Sequence, residues 1–463
     1  MSPGTQQIHI VGAGLAGSEC AYQLAHMGYS VVLHEMREKT TTPAHKTGLF
    51  AELVCSNSFG SQTDYSAPGQ LKWEADRLNS LILRVAEDTA IPAGMALGVD
   101  RQRFAQKITD IIHHHPRIQI VNEVVESFEQ IPRPAVIATG PLTHSKLAEA
   151  MAQHFDEEFL YFFDAIAPVL DTDSLNMDII WRGDRWGKGT GDYLNCPLNK
   201  EQYENLIREI HSARKVEPKE FENVPYFEGC MPIEVMAERG TETLRYGPLS
   251  PKGLPNPRSS ERPYAVVQLR QDNREGTAYN MVGFQTKMAY PEQQRVFRMI
   301  PGLEEAEFLK LGSMHRNLYI NSPRRLTPWL SSRKDPDLYF AGQITGVEGY
   351  FESTCMGLMV AHFIHDQLNG RAANLPPRTT AIGSLLHALG EDKDNFQPTN
   401  INFGLLPDVE VPRIKGKRRN RRELKRGKQI QRARFDLTQW LAEKKPWVLP
   451  PRPTRPLPGA HLF

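Results

Sequence analysis

The sequence predicts an α/β fold, a doubly wound parallel sheet with an α+β domain inserted into it. Three observations carry that prediction. Short apolar strands recur near residues 8, 31, 135 and 338, and three of them run into glycine-containing turns. Helical patterns follow the first and last of those turns. Finally, the 463-residue length exceeds one small domain, and the texture changes between residues 150 and 310.

Ile8, Ile10 and Val11 predict the first strand, and Gly12-Ala13-Gly14-Leu15-Ala16-Gly17 predicts the turn. A helix is expected from Ser18 to about Met27, with Gly28 placed to end it. Val31-Val32-Leu33 predicts the second strand, with Glu35 just past it. Ala135-Val136-Ile137 ends in Ala138-Thr139-Gly140, and Leu338-Tyr339-Phe340 runs into Ala341-Gly342, with a helix expected from Ser353 to about Leu368. Between them lie aromatic, proline-rich stretches, Trp181 to Tyr193 and Pro248 to Pro263. The expected division is a discontinuous nucleotide-binding domain over 1–150 and 310–410, an inserted substrate domain over 151–309, and a basic, proline-rich segment over 411–463.

Composition narrows the class. Apolar residues at 40% and charged residues at 24% exclude disordered, collagen-like and coiled-coil chains. Five widely spaced cysteines make no disulfide framework, and no CxxC or CxxH spacing suggests a structural metal. The longest apolar stretch, 159–170, is short and contains Asp164, so no membrane span is expected. With no basic n-region before the first strand, a cytoplasmic location is expected.

Net charge is +1, but residues 412–434 carry twelve basic residues against Glu423, a net +11 that leaves −10 for the rest. This density makes RNA-backbone binding the expected use of that segment rather than a merely solvated helix face. His113-His114-His115 closes a predicted helix before Pro116, and a solvated turn rather than a metal site is expected there.

GxGxxG alone is weak evidence for a ligand. Here it lies between a strand and a helix, with Glu35 18 positions after Gly17. In such a Rossmann-like unit Gly12 permits the tight turn, Gly14 lets the backbone approach a pyrophosphate and Gly17 allows close helix packing. The helix N-terminus offers amides and a positive dipole end. Glu35 can accept from ribose hydroxyls. Gly140 and the Gly342 turn suggest an extended cofactor touched at several strand ends, which suits FAD better than NAD alone.

The runs Gly12–Glu19, Phe50–Ser58 around Cys55, Phe227–Glu234 around Cys230, Gln268–Asn273, Val282–Thr286, Met314–Asn317 and Ala341–Tyr350 resemble one family. The chain resembles the folate- and FAD-dependent tRNA (uracil-5-)-methyltransferases, the TrmFO family, over roughly residues 7–406. The resemblance implies a Rossmann-like FAD-binding domain. It implies methylation of C5 of uridine 54 in the tRNA T loop, with the carbon from 5,10-methylenetetrahydrofolate and reduction by FADH2 recharged with NADH or NADPH.

On that resemblance Cys230 is the expected nucleophile and Cys55 the candidate base or second thiol. Gly12, Ala13, Gly14, Leu15, Ala16, Gly17, Glu35, Gly140, Gly342 and Gln343 are the expected cofactor residues. His315 is a candidate to stack on pterin or flavin, or else a hydrogen-bonded structural histidine. Arg270, Arg316, Arg324 and Arg325 are candidates for folate glutamate or RNA phosphate. Cys20, Cys196 and Cys355 read as packing residues. The alternatives are a related enzyme acting on rRNA or on a wobble uridine, and a flavin oxidoreductase without an RNA substrate.

Overall fold

Continuous burial explains the first strand: β1 (Gln7–Val11) has four buried residues in five and sits at the centre of a sheet. A computed structural model of the chain describes residues 6–42, 44–156, 160–187, 190–216, 231–393, 396–411 and 418–443. The side chains of 160, 162–164, 315, 316 and 418–420 lie outside that description. After β1 come α1 (Leu15–His26), β2 (Ser30–Glu35), α2 (Ala67–Arg77), α3 (Arg101–His113), β3 (Ile118–Asn122) and β4 (Ala135–Ile137).

The chain then leaves this sheet. It forms β5 (Leu160–Ala165), β6 (Val169–Asp171), β7 (Trp181–Arg182), β8 (Tyr193–Leu198), β9 (Ala265–Gln271), β10 (Ala278–Met281), β11 (Phe308–Lys310) and β12 (Met314–Tyr319). It returns as β13 (Leu338–Phe340), followed by α4 (Tyr350–Leu368), α5 (Ala381–Gly390) and α6 (Arg418–Glu443).

The first sheet has the order β13-β4-β1-β2-β3, and every pairing in it is parallel. Ile10 lies opposite both Leu33 and Val136, and Val136 opposite Tyr339, so one buried row crosses the sheet. Burial on both faces is what near-continuous apolar strands require. The second sheet, β7-β8-β9-β10-β6-β11, is antiparallel and has its own core around Leu194, Val267, Leu269 and Phe297. An antiparallel pair, β12 with β5, stands apart from both sheets. A small antiparallel sheet of residues 58–61, 96–99 and 90–91 completes the set.

Two boundaries differ from expectation for a common reason. The amide of Ser18 already donates to the Gly14 carbonyl at 2.9 Å, so Leu15-Ala16-Gly17 form the first helical turn and α1 starts at Leu15, not Ser18. Likewise α4 starts at Tyr350, immediately after Gly349, rather than at Ser353. Glu35 is the last residue of β2, paired with Asn122, instead of lying beyond it.

The basic run differs more. Its described part is helical in α6, and Ile430, Ala433, Leu437 and Trp440 form a buried stripe at helical spacing. Arg434 reaches Gln70 at 3.1 Å and Asp64 at 2.6 Å, Lys425 pairs with Asp408 at 2.6 Å, and Arg426 lies over the Phe403 ring. Half of this helix is therefore docked on the body, while Arg421, Arg422 and Lys428 remain exposed. Residues 412–417 lie outside the described residues.

Beneath α6, Glu74 of α2 is fully buried and accepts from the amides of Ala381 (2.7 Å) and Ile382 (2.8 Å) at the start of α5. Burial pushes its carboxyl up to about 7 from an ordinary 4.5, against the opposing pull of those amides, Gln70 and Arg434. A raised folded value means that the contribution is full below about pH 4.5 and is lost as pH rises through 7. Between pH 5 and 8 the wild type should lose stability relative to Glu74→Gln, on the order of 3 kcal/mol, which thermal melts at the two pH values will measure.

Candidate active site

Where the C-terminal ends of β1, β4 and β13 meet the start of α1, a cleft opens. Gly12, Gly14, Leu15, Ala16, Glu35, Gly140, Gly342 and Gln343 all line it. Ala13 and Gly17 lie behind that wall, both buried. Two glycines show why the sequence must be small here. Gly12 has φ +99°, and a Cβ on Gly17 would stand 1.8 Å from the Gly12 carbonyl oxygen, so helix and strand could not meet around any larger residue. At Gly14 a Cβ would meet nothing within 4 Å. That open approach to backbone amides at a helix N-terminus is the cradle a pyrophosphate needs, and the cleft fits a dinucleotide.

Glu35 stands at the far side of the turn. One carboxylate oxygen accepts from the Ala13 amide (2.8 Å) and from Arg37 Nη2 (3.0 Å), and the other from the Arg37 amide (3.0 Å). Burial would raise this carboxyl, but the Arg37 guanidinium and these amides hold it below the usual carboxylate range. A carboxylate has about four acceptor positions. The three contacts leave one for a ribose hydroxyl.

Tyr350, at the start of α4, lines the same cleft. Its hydroxyl accepts from the amides of Cys55 (2.7 Å) and Ser56 (3.1 Å). Burial and the neighbouring Cys55 push the phenol upward, so the ring stays neutral. Around it the segment 53–57 is gripped residue by residue. Arg101 Nη1 donates to the Leu53 carbonyl (3.0 Å), Lys310 Nζ to Val54 (2.8 Å), and Arg270 to Ser56 Oγ (2.8 Å) and Asn57 Oδ1 (3.1 Å). Arg101 is anchored by Asp272 at 2.9 Å. Burial, with Arg101 and Lys46 nearby, brings Lys310 down to about 8.

The Cys55 thiol is half-buried and lies 3.8 Å from the Ala165 carbonyl, at the end of β5. Ala165 pairs with Met314 and Asp164 with His315, so the His315 backbone runs one residue from the thiol's neighbour. The His315 and Arg316 side chains lie outside the described residues, as does Cys230. The described end of the Cys230 run is docked. Thr286 donates to the Glu234 carboxylate, and the Ile233 amide to the Gln285 carbonyl at 2.7 Å, so the runs 227–234 and 282–286 meet.

Two of the candidate arginines are engaged within the protein. Arg270 is turned inward onto Ser56 and Asn57, where burial depresses its guanidinium, so it clamps a loop. Arg324 is paired with Asp392 at 3.2 Å. His113 stacks on Phe50, and His114 Nδ1 lies 2.7 Å from the Asp110 carbonyl. Among the described residues no three His, Cys, Asp or Glu side chains could hold a metal ion. No helix among them is long and apolar enough to cross a membrane. Cys20, Cys196 and Cys355 are fully buried, and burial pushes their thiols far above the ordinary range. Arg37, Arg101 and Lys310 carried no sequence signal as site residues.

Comparison with known proteins agrees with this geometry. A family profile described as "Glucose inhibited division protein A" matches residues 7–372. A Bdellovibrio bacteriovorus protein named methylenetetrahydrofolate--tRNA-(uracil-5-)-methyltransferase TrmFO is 64% identical over 94% of this chain and 98% of its own length. The chain belongs to the TrmFO family. A TrmFO of the same name from Natranaerobius thermophilus is 52% identical, covering 90% of this chain and 98% of that one. Among solved structures, Aquifex aeolicus GidA superposes with a TM-score of 0.65 at 15% identity, over 94% of this chain and 76% of that one. That likeness shows the shared fold.

Proposed function

We propose that this chain methylates C5 of a uridine in tRNA, at position 54 of the T loop, with the carbon drawn from 5,10-methylenetetrahydrofolate. The observation that carries the reading is the 64% identity to a protein of that name over nearly the whole chain. The clamped Cys55 segment at the edge of a dinucleotide cleft supports it. FAD fits that cleft, and when bound and recharged by NADH or NADPH it supplies the reducing equivalents that take the methylene to a methyl group. Gly12, Gly14, Leu15, Ala16, Gly140, Gly342 and Gln343 would hold it, with Ala13 and Gly17 shaping the turn from behind and Glu35 on the ribose.

Uracil C5 is a poor nucleophile. A thiolate from Cys230 adding to C6 would make C5 electron-rich enough to attack the methylene carbon. Cys55 would then take the C5 proton as the tetrahydrofolate nitrogen leaves the transferred carbon. The exocyclic methylene so formed at C5 would gain the hydride that reduced flavin supplies, and expulsion of the Cys230 thiolate from C6 would restore the ring. Cys55 suits a proton transfer because its loop is held in place: Tyr350, Arg101 and Lys310 bond the backbone of residues 53–56, and Arg270 the Ser56 and Asn57 side chains. His315 is assigned to the folate or flavin face. The division into 1–150 with 310–410, 151–309 and 411–463 is kept as the working description of cofactor domain, substrate domain and basic segment.

Incubating the chain with a T-arm minihelix, labelled 5,10-methylenetetrahydrofolate and NADH should yield labelled 5-methyluridine on nucleoside analysis. Label in a wobble uridine of full-length tRNA or in rRNA, with none in the minihelix, would move the acceptor. No labelled nucleoside at all would end the reading.

A further inference from the structure

The loop between β7 and β8 leaves the large sheet beside the Cys55 segment. Tyr193, the first residue of β8, is the register partner of Arg270, which grips Ser56 and Asn57. On this loop Trp186 is 68% exposed. Its backbone is left-handed, with φ 63° and ψ 20°, a conformation bulky residues adopt only when their surroundings enforce it.

The enforcement is visible. The Trp186 amide donates to the Gly253 carbonyl at 2.8 Å. One side of the indole rests on Gly253, where any Cβ would come within 2.6 Å of the ring. Arg185 pins the same two loops together, through Nη1 to the carbonyls of Ser250 (2.7 Å) and Lys252 (2.9 Å) and through Nε to Gln268 (2.9 Å).

Charge is sorted around the ring. One Asp184 carboxylate oxygen accepts from the Gly191 and Asp192 amides, and Asp192 accepts from Thr190 and from the Gly94 amide outside the loop, so both acids face backbone and hydroxyl donors. Lys252 is exposed with its ammonium 5.8 Å from the centre of the Tyr246 ring, and Arg182, also exposed, donates to the Tyr279 hydroxyl at 3.2 Å. An indole seated on Gly253 by one side, 68% exposed, and with the exposed Lys252 next in sequence to that glycine matches the chemistry of a base-stacking platform. A flat π-face receives a base of any identity, and ammonium or guanidinium groups receive the neighbouring phosphates.

We propose that Trp186 stacks against an unpaired base of the RNA substrate, outside the pocket of the methylated uridine, with Lys252 on an adjoining phosphate. The proposal rests on the reading that the substrate is RNA. The contact adds affinity with little base preference, because every base offers a π-face. It lies on the Cys55 side of the second sheet, so it would hold the RNA where its target can reach that segment.

The test uses FAD-loaded wild type, Trp186→Ala, Trp186→Phe and Lys252→Ala with a fluorescein-labelled T-arm minihelix across a salt series. Trp186→Ala should weaken binding about 5- to 100-fold with an unchanged slope of log Kd on log salt. Lys252→Ala should lower that slope by roughly one. Trp186→Phe, which keeps a ring on Gly253, should bind within about threefold of wild type. It should also lack part of the tryptophan quenching that RNA produces in the wild type. Unchanged affinity in Trp186→Ala, or equal quenching in wild type and Trp186→Phe, overturns the proposal. A wild type that binds no minihelix instead removes the RNA reading, and the proposal with it.

Discussion

Replacing Cys230 by alanine is expected to abolish methyl transfer, by at least about 10³-fold in single turnover, while flavin absorbance per chain stays at the wild-type level. The reason is chemical: without addition at C6 there is no nucleophilic carbon at C5, and positioning alone does not create one. Cys55→Ala should cost about 10²- to 10⁴-fold, the range for losing a positioned proton acceptor, with RNA affinity kept. A thiol reagent separates the two effects. Cys20, Cys196 and Cys355 are fully buried with thiols held protonated, whereas Cys55 is half-exposed. Iodoacetamide should therefore leave those three untouched, and Cys55 labelling should vanish in Cys55→Ala. Methyl transfer at the wild-type rate in Cys230→Ala would remove it as nucleophile. The same result in Cys55→Ala would reduce that residue to a loop member.

Gly357→Val is expected to have the largest effect on the fold. Gly357 lies in α4 where that helix crosses α1, and a Cβ there would stand 2.1 Å from the Ala16 carbonyl oxygen and 2.8 Å from its Cα. The obstacle is backbone on both sides, so neither helix can yield locally. Overpacking of well-filled cores costs about 1–3 kcal/mol and more where nothing relaxes, and this site belongs at the upper end. The helix that must retreat carries Tyr350 and Ser353 into the cleft. The variant should thus lose bound FAD along with several degrees of melting temperature. Retention of flavin at the wild-type melting temperature would contradict the close crossing.

Patterns confined to neighbouring residues were legible in the sequence. The strand–glycine turn–helix unit, Glu35 and the strands at 135 and 338 need only local alternation and spacing, and each lies within a few residues of expectation. The clamp on residues 53–57 was not legible. Arg101, Arg270 and Lys310 come from three distant elements, and nothing in their neighbourhoods distinguishes a buried clamp from a surface cation. Arg270 reads as a candidate for folate glutamate or RNA phosphate for that reason, since arginine is ordinarily exposed. The docked face of the basic run was hidden in the same way. Its charges outweighed the apolar stripe Ile430, Ala433, Leu437 and Trp440, which shows in the sequence only once its register is fixed against α2.

The strand order β13-β4-β1-β2-β3 has a consequence for biosynthesis. The wall of the cofactor cleft needs Gly12 and Gly14 from the start of the chain, Gly140 from its first third, and Gly342 with Tyr350 from far beyond the second sheet. Synthesis runs from the N-terminus, so an emerging chain must wait with an unpaired edge on β4 while about two hundred residues of another core are made. Pairing across such a gap carries a large loop-closure entropy and is intrinsically slow. Flavin capture is thus a late, post-assembly event. During synthesis the exposed edge of β4, and not the finished enzyme, is the point at which this chain is open to aggregation.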